Sequence, residues 1–218
     1  MVRLFGYDLT MARPVAADAE ATRARILAAA TGLVALRGVD GTTVRDIAAD
    51  AKVSLATVLH YFGSKDGLYA AVVESMDKQL GGLRNALLAE ARPGQTADQM
   101  VTAMVRRGWA FAIEHRVAHR VILRAVIDNG GMPDERIERF VRPTLNDAGD
   151  LLAPLLGITP LQARLAVQTF VMLVARYAIC GTAELCVITQ VDNIDDAHAA
   201  IGDHLETLMR GLLLKDKS

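Results

Sequence analysis

The chain has 218 residues, 52% of them hydrophobic and 22% charged, with six prolines and only 5% aromatics. That composition excludes a disordered chain and favours helices around one or two real cores. The net charge of −1 carries no mark of a nucleic-acid binder. Its distribution says slightly more. Residues 1–65 hold eight Lys/Arg against six acids, and the rest hold sixteen against nineteen. A weakly basic head on a weakly acidic body is compatible with DNA binding.

Residues 1–17 show no sustained period and read as an arm, in which Arg3 and Arg13 can add contacts. Met11 is a second possible start. From Asp18 a helix is predicted, with Ile26, Leu27, Ala30, Leu33, Val34 and Arg37 at helical spacing and Gly38 as its stop. Thr43 and Asp46 have the form of a capping box, with Asp shorter than the usual Glu. A short helix over Val44 to Ala51 follows, then a turn at Lys52-Val53, then a helix over Leu55 to Phe62 capped by Ser54.

A longer helix is predicted from Asp66 toward Glu90, with Gly81-Gly82 inside it marking a bend or a close packing contact. Arg92-Pro93-Gly94 ends it. Four or five further helices are expected, with breaks at 129–133, 157–160 and around 184–193. Cys186 to Val191 reads as loop or helix end, and Cys180 and Cys186 as buried thiols.

Two classes of function are disfavoured. The longest uncharged run, Leu151 to Ala163, is 13 residues with two prolines, too short to span a bilayer. Residues 1–10 carry Arg3 and Asp8 and do not make a signal peptide, so a cytoplasmic protein is expected. None of the usual nucleophile-elbow, dinucleotide, phosphate-loop or zinc-protease motifs occurs, so no enzyme and no cofactor are expected. His115 and His119 stand four apart, but no further Cys or acid clusters with them, so no metal is expected either.

Residues 43–62 carry the strongest signal. A helix-turn-helix needs a small residue where its helices touch, a tight turn and apolar residues that hold the crossing. Ala48 is the small residue, Ile47, Val53 and Val58 supply the packing, and Ser54 caps the second helix.

Over Thr22 to Val73 the chain resembles the DNA-binding region of TetR-family regulators. Thr22-Arg23, Ile26-Leu27, Ala29-Ala30, Gly38, Gly41-Thr42-Thr43, Ile47-Ala48, Val53-Ser54, Thr57-Val58, His60-Tyr61-Phe62 and Ser64-Lys65 stand in the family's order and spacing. The match covers about a quarter of the chain. It departs twice: Lys52 replaces the family's turn glycine, and Leu59 replaces a tyrosine that meets a DNA phosphate.

The resemblance implies an all-α fold: an N-terminal three-helix bundle with a helix-turn-helix, followed by a larger helical dimerisation and ligand-binding domain. The expected division is an arm over 1–17, the DNA-binding domain over 18–65 and the body over 66–218. It also implies site roles. Thr43 and its helix start would hold phosphate. Arg45 would enter the major groove, on guanine or on a phosphate. Ser54, Leu55, Ala56, Thr57 and His60 would front the recognition helix, with Leu55 and Ala56 able to touch a thymine methyl. Tyr61 and Lys65 would bond phosphate, or else pack the helix and stay solvated.

The implied partners are double-stranded DNA as a palindromic operator, a second copy of the chain, and an apolar or amphipathic small molecule, with no membrane. The reading is a repressor released by that molecule. A helical small-molecule binder with impaired DNA recognition, through Lys52 and Leu59, is the alternative. For the dimer interface, Ile194, Ala197, Ile201, Leu205, Leu208 and Leu212 lie on one stripe. Leu161 to Ile179, with Leu161 and Leu165, is apolar nearly all round and must be covered on most sides. Asn193 with Asp196 would cap the last helix, and Lys215 and Lys217 would suit its far end. Candidate ligand-lining residues are Met104, Trp109, Phe111, His119, Leu123, Phe170 and Tyr177, each of which can instead be plain core. Arg106, Arg107, His115 and Arg120 either face an anionic ligand or lie on the surface.

Overall fold

The computed structural model describes residues 15–89, 94–128 and 130–214. Arg3, Arg13, Lys215 and Lys217 lie outside them. The described residues form ten helices and no strand. They are α1 (Val15–Arg37), α2 (Val44–Asp50), α3 (Leu55–Phe62), α4 (Lys65–Leu88), α5 (Ala97–Glu114), α6 (Arg116–Asp128), α7 (Asp134–Leu156), α8 (Pro160–Ala178), α9 (Thr182–Thr189) and α10 (Ile194–Leu213). The chain divides into two compact units, 1–72 and 73–218, with the boundary inside α4.

In the first unit, Ile26, Ala30 and Val34 of α1 are buried with Ile47 and Ala48 of α2, Val58 of α3, and Leu68 and Val72 of α4. Gly38 takes φ +77° and closes α1, its N–H bonding the Val34 carbonyl. A glycine at this helix end avoids the Cβ clash of the left-handed region. Thr42 is buried, and its hydroxyl donates to the Gly38 carbonyl at 2.8 Å.

The second unit has two adjoining cores. The larger joins Val101, Val105 and Trp109 of α5, Ala166, Val174 and Ala178 of α8, Leu185 of α9, and Ala197, Ile201, Leu205 and Met209 of α10. The smaller gathers Met100, Ala148, Leu152, Ala153 and Ala163. α7 is interrupted by two π-helical stretches, Ile137–Val141 and Ala148–Leu152. Among the described residues three ion pairs hold α4 to α7, the longest of them Asp77 with Arg139 at 3.9 Å. Buried Asp77 meets Arg136 at 3.0 Å, and Arg84 meets Asp147. Burial pushes the Asp77 carboxyl above its ordinary range, with Arg136 and Arg139 opposing.

Several expectations need correction. A Cβ built on Gly81 or Gly82 meets nothing within 4 Å, so neither marks a close packing contact. Among the described residues six helices follow α4, rather than four or five. His115 ends α5 as its C-cap, and residues 182–189 form a helix that stops at Gln190 with φ +56°. Cys180 and Cys186 are only half-buried. Among the described residues no single helix is long and apolar enough to cross a membrane.

Candidate nucleic-acid interface

The interface is built on α2 and α3. At the start of α2 the capping box closes in both directions. Thr43 Oγ1 accepts from the Asp46 N–H at 3.2 Å, and Asp46 Oδ2 accepts from the Thr43 N–H at 3.1 Å. The Thr43 hydroxyl also donates to Asp46 at 2.7 Å. These bonds hold the Asp46 carboxyl below the usual carboxylate range. Thr43 is thus a helix cap whose hydroxyl hydrogen is engaged by Asp46 in this structure. Arg45 is exposed one residue into the helix.

The turn between the helices keeps its left-handed residue although that residue is lysine. Lys52 has φ +56°, and its N–H bonds the Ala49 carbonyl at 3.1 Å. The next N–H, of Val53, bonds the Ala48 carbonyl at 2.9 Å. Cβ crowds the backbone in this region, which costs about 1 kcal/mol. Lys52→Gly is expected to raise the stability of the first unit by about 1 kcal/mol or slightly less, glycine's extra chain entropy taking part of the gain. Chemical denaturation of the full chain measures this, and Lys52→Ala, which removes the charge but keeps the Cβ, is expected to leave the midpoint unchanged.

Ser54 caps α3, accepting from the Thr57 N–H at 3.0 Å, and the two hydroxyls bond one another at 2.8 Å. Val58 faces inward. Leu55, Ala56, Leu59 and His60 are exposed, while Thr57 and Tyr61 are half-buried. The Tyr61 ring lies edge-on to His60, 5.5 Å between centroids. Phe62 is covered by the Arg23 guanidinium, 5.4 Å from its ring centre. Lys65 is half-buried at the start of α4, lining a shallow crevice with Val34, Leu68 and Tyr69. The structure thus gathers Ser54, Leu55, Ala56, Thr57 and His60 on α3. It adds exposed Leu59, which the sequence reading treated only as a lost contact. Its spacing of four from Leu55 was the signal.

The ligand-lining set is less coherent. Trp109 lies in the larger core, its Nε1 donating to the His198 carbonyl at 2.9 Å. Phe170 and Tyr177 pack against the same core, whereas Met104 packs against the smaller one. Phe111 stacks on His115 at 3.9 Å and meets His119 edge-on at 6.4 Å. Burial, helped by His115, holds His119 down at about 4, so its imidazole is neutral near pH 7. Its Nε2 is buried without a hydrogen-bond partner. Leu123 is half-buried on α6. Arg106 and Arg120 have protein partners: Arg106 pairs with Glu206 at 2.7 Å, and Arg120 donates to the Ile179 carbonyl. Among the described residues no group of three or more His, Cys, Asp or Glu could hold a metal.

The dimer set also divides. Ile201 and Leu205 are buried in their own chain's core and are not free to meet a partner, because α10 turns that stripe onto α5 and α8. Leu208 is half-buried and Leu212 exposed. On α8, Leu161, Leu165 and Met172 are 64%, 59% and 53% exposed.

Fold and site together define an all-helical protein with a DNA-binding helix-turn-helix. Residues 26–72 match the family model described as bacterial regulatory proteins, tetR family. These residues therefore form a TetR-type DNA-binding domain, which supports a DNA-binding transcriptional regulator. Solved structures agree on the fold. A TetR-like transcriptional regulator from Rhodococcus sp. RHA1 is 24% identical, with 89% of this chain and 97% of that one covered, at a TM-score of 0.61. A TetR-family regulator from Mesorhizobium loti is 17% identical, with 89% and 96% covered, at 0.63. A TetR variant from Acinetobacter baumannii, in complex with minocycline, is 21% identical, with 85% and 93% covered, at 0.52. No curated protein matches the chain by sequence.

Proposed function

We propose that the protein works as a homodimeric repressor. α3 of each copy enters the major groove of a palindromic operator, and an apolar or amphipathic small molecule in the body releases it. The observation that carries this reading is the stripe of Leu161, Leu165 and Met172 on α8. The opposite side of that helix is buried core, yet the stripe itself is bare. A second copy covers such a stripe most simply, and two copies read two half-sites. The minocycline complex of the Acinetobacter baumannii protein supports a small-molecule effector by analogy of fold.

Release needs an effector that binds two shapes of the dimer with different affinity. α4 begins in the DNA-binding unit and continues into the body. The Asp77–Arg136 and Arg84–Asp147 pairs are the contacts that a shift of α4 against α7 must break or remake.

The test is selection of duplexes from a random or genomic pool by the purified protein, then a salt titration of the winner. A palindrome is expected, its affinity falling linearly with salt on logarithmic axes. Arg45→Ala is expected to weaken it by about 1–3 kcal/mol if the guanidinium pairs with a base edge. If Arg45 meets a phosphate, the loss is uniform across sequences and the salt slope shrinks by about one. Absence of any enriched duplex at low salt would sink the reading.

A further inference from the structure

The exposed side of α3 has an unusual chemistry for a DNA reader. Residues 54–62 contain no Asn, Gln, Arg or Lys. The side chains that make bidentate bonds to guanine and adenine edges are therefore missing from the recognition helix. The Ser54 and Thr57 hydroxyls bond each other, and Thr57 is half-buried. Exposed Leu55, Ala56, Leu59 and His60 remain. His60 is the one polar side chain among them.

Leu55 and Leu59 are 37% and 40% exposed. One helical turn separates them, so they share a face. Val58 between them points into the core. The pair lies within the helix-turn-helix that the family match identifies. Arg45 on α2 and Lys52 in the turn before α3 are exposed cations suited to the flanking phosphates.

In the major groove one base presents an apolar group, the C5-methyl of thymine. Resting on the regulator reading above, we infer that Leu55 and Leu59 read thymine methyl groups and that this apolar contact sets operator specificity on α3. Leu59, which removes a phosphate contact, supplies a base contact in its place. The two side chains are separated by about 6 Å along the helix. Base pairs rise about 3.4 Å each. The two methyls therefore lie within about two base-pair steps of each other in each half-site.

The experiment replaces each thymidine of the selected duplex in turn by deoxyuridine, which removes the methyl and leaves every hydrogen-bonding group. Binding of the full-length protein is read by fluorescence anisotropy. At two thymines per half-site the affinity is expected to fall about three- to five-fold, as for one methyl lost from an apolar contact. Leu59→Ala is expected to abolish the dependence at one of them and Leu55→Ala at the other, whereas Leu59→Met retains it.

Wild-type protein that binds every deoxyuridine duplex as tightly as the parent would overturn the inference while the regulator reading stands. A change in the sedimentation of the DNA-free protein on Leu59→Ala would place this face in a protein contact, and would also overturn it. If no duplex is enriched at all, the regulator reading fails and the inference falls with it.

Discussion

Leu165→Glu is expected to convert the protein from dimer to monomer and to weaken operator binding by a factor of about 100 or more. Leu165 is 59% exposed at the centre of the α8 stripe, between Leu161 and Met172. In an isolated chain most of this side chain meets solvent, so the melting of the monomer is expected to change little. Across a two-fold interface the same residue is buried twice. Two carboxylates would then be desolvated against apolar neighbours and against each other. Splitting the dimer removes the second half-site from each binding event, and linked binding strengthens an interaction by about 100- to 10,000-fold. Sedimentation and anisotropy on the selected duplex measure the two effects separately. A Leu165→Glu protein that remains dimeric would move the interface off this stripe, and Leu212, also exposed, would be the next position to change.

Trp109→Ala is expected to destabilise the body by about 3–5 kcal/mol. That is a large share of the 5–15 kcal/mol typical of a domain. Trp109 is 5% exposed at the meeting of α5 and α10. Its indole N–H satisfies the His198 carbonyl, and its ring lies edge-on to the His198 imidazole at 5.8 Å. α10 presents Gly202 to the ring, where an added Cβ would come within 3.1 Å of Cδ1. Truncation therefore leaves a void and an orphaned acceptor together. Trp109→Phe keeps most of the packing and loses the hydrogen bond, for a cost of about 1–3 kcal/mol. Trp109 is the chain's one tryptophan, so unfolding is best followed by circular dichroism. A stable Trp109→Ala protein with altered effector response would return Trp109 to the ligand-lining role expected from sequence.

The DNA-binding unit was the most legible part of the chain. α3 begins at Leu55 and ends at Phe62, where the sequence placed it, because Ser54 and Gly63 are local signals that act within a few residues. The Thr43–Asp46 box closes as its spacing suggested, the shorter aspartate reaching the cap N–H. Lys52, in the place of the family's turn glycine, takes the left-handed geometry that suits a glycine. These features depend on backbone hydrogen bonds and steric limits that a short stretch of residues determines alone.

The body was less legible, for a different reason. Its apolar stripes state that a face must be covered but not by what. Ile201 and Leu205 have the spacing of an interface, yet α5 and α8 of the same chain cover them, while Leu161 and Leu165 on a more uniformly apolar helix remain bare. Trp109 has the composition of a pocket wall, and only the approach of α10 makes it core. Local chemistry determines where helices start, stop and turn, because those energies act within a few residues. Which side of each helix meets a neighbour depends on contacts between residues far apart in the chain, such as Trp109 with His198, 89 positions on, and only the folded structure decides it.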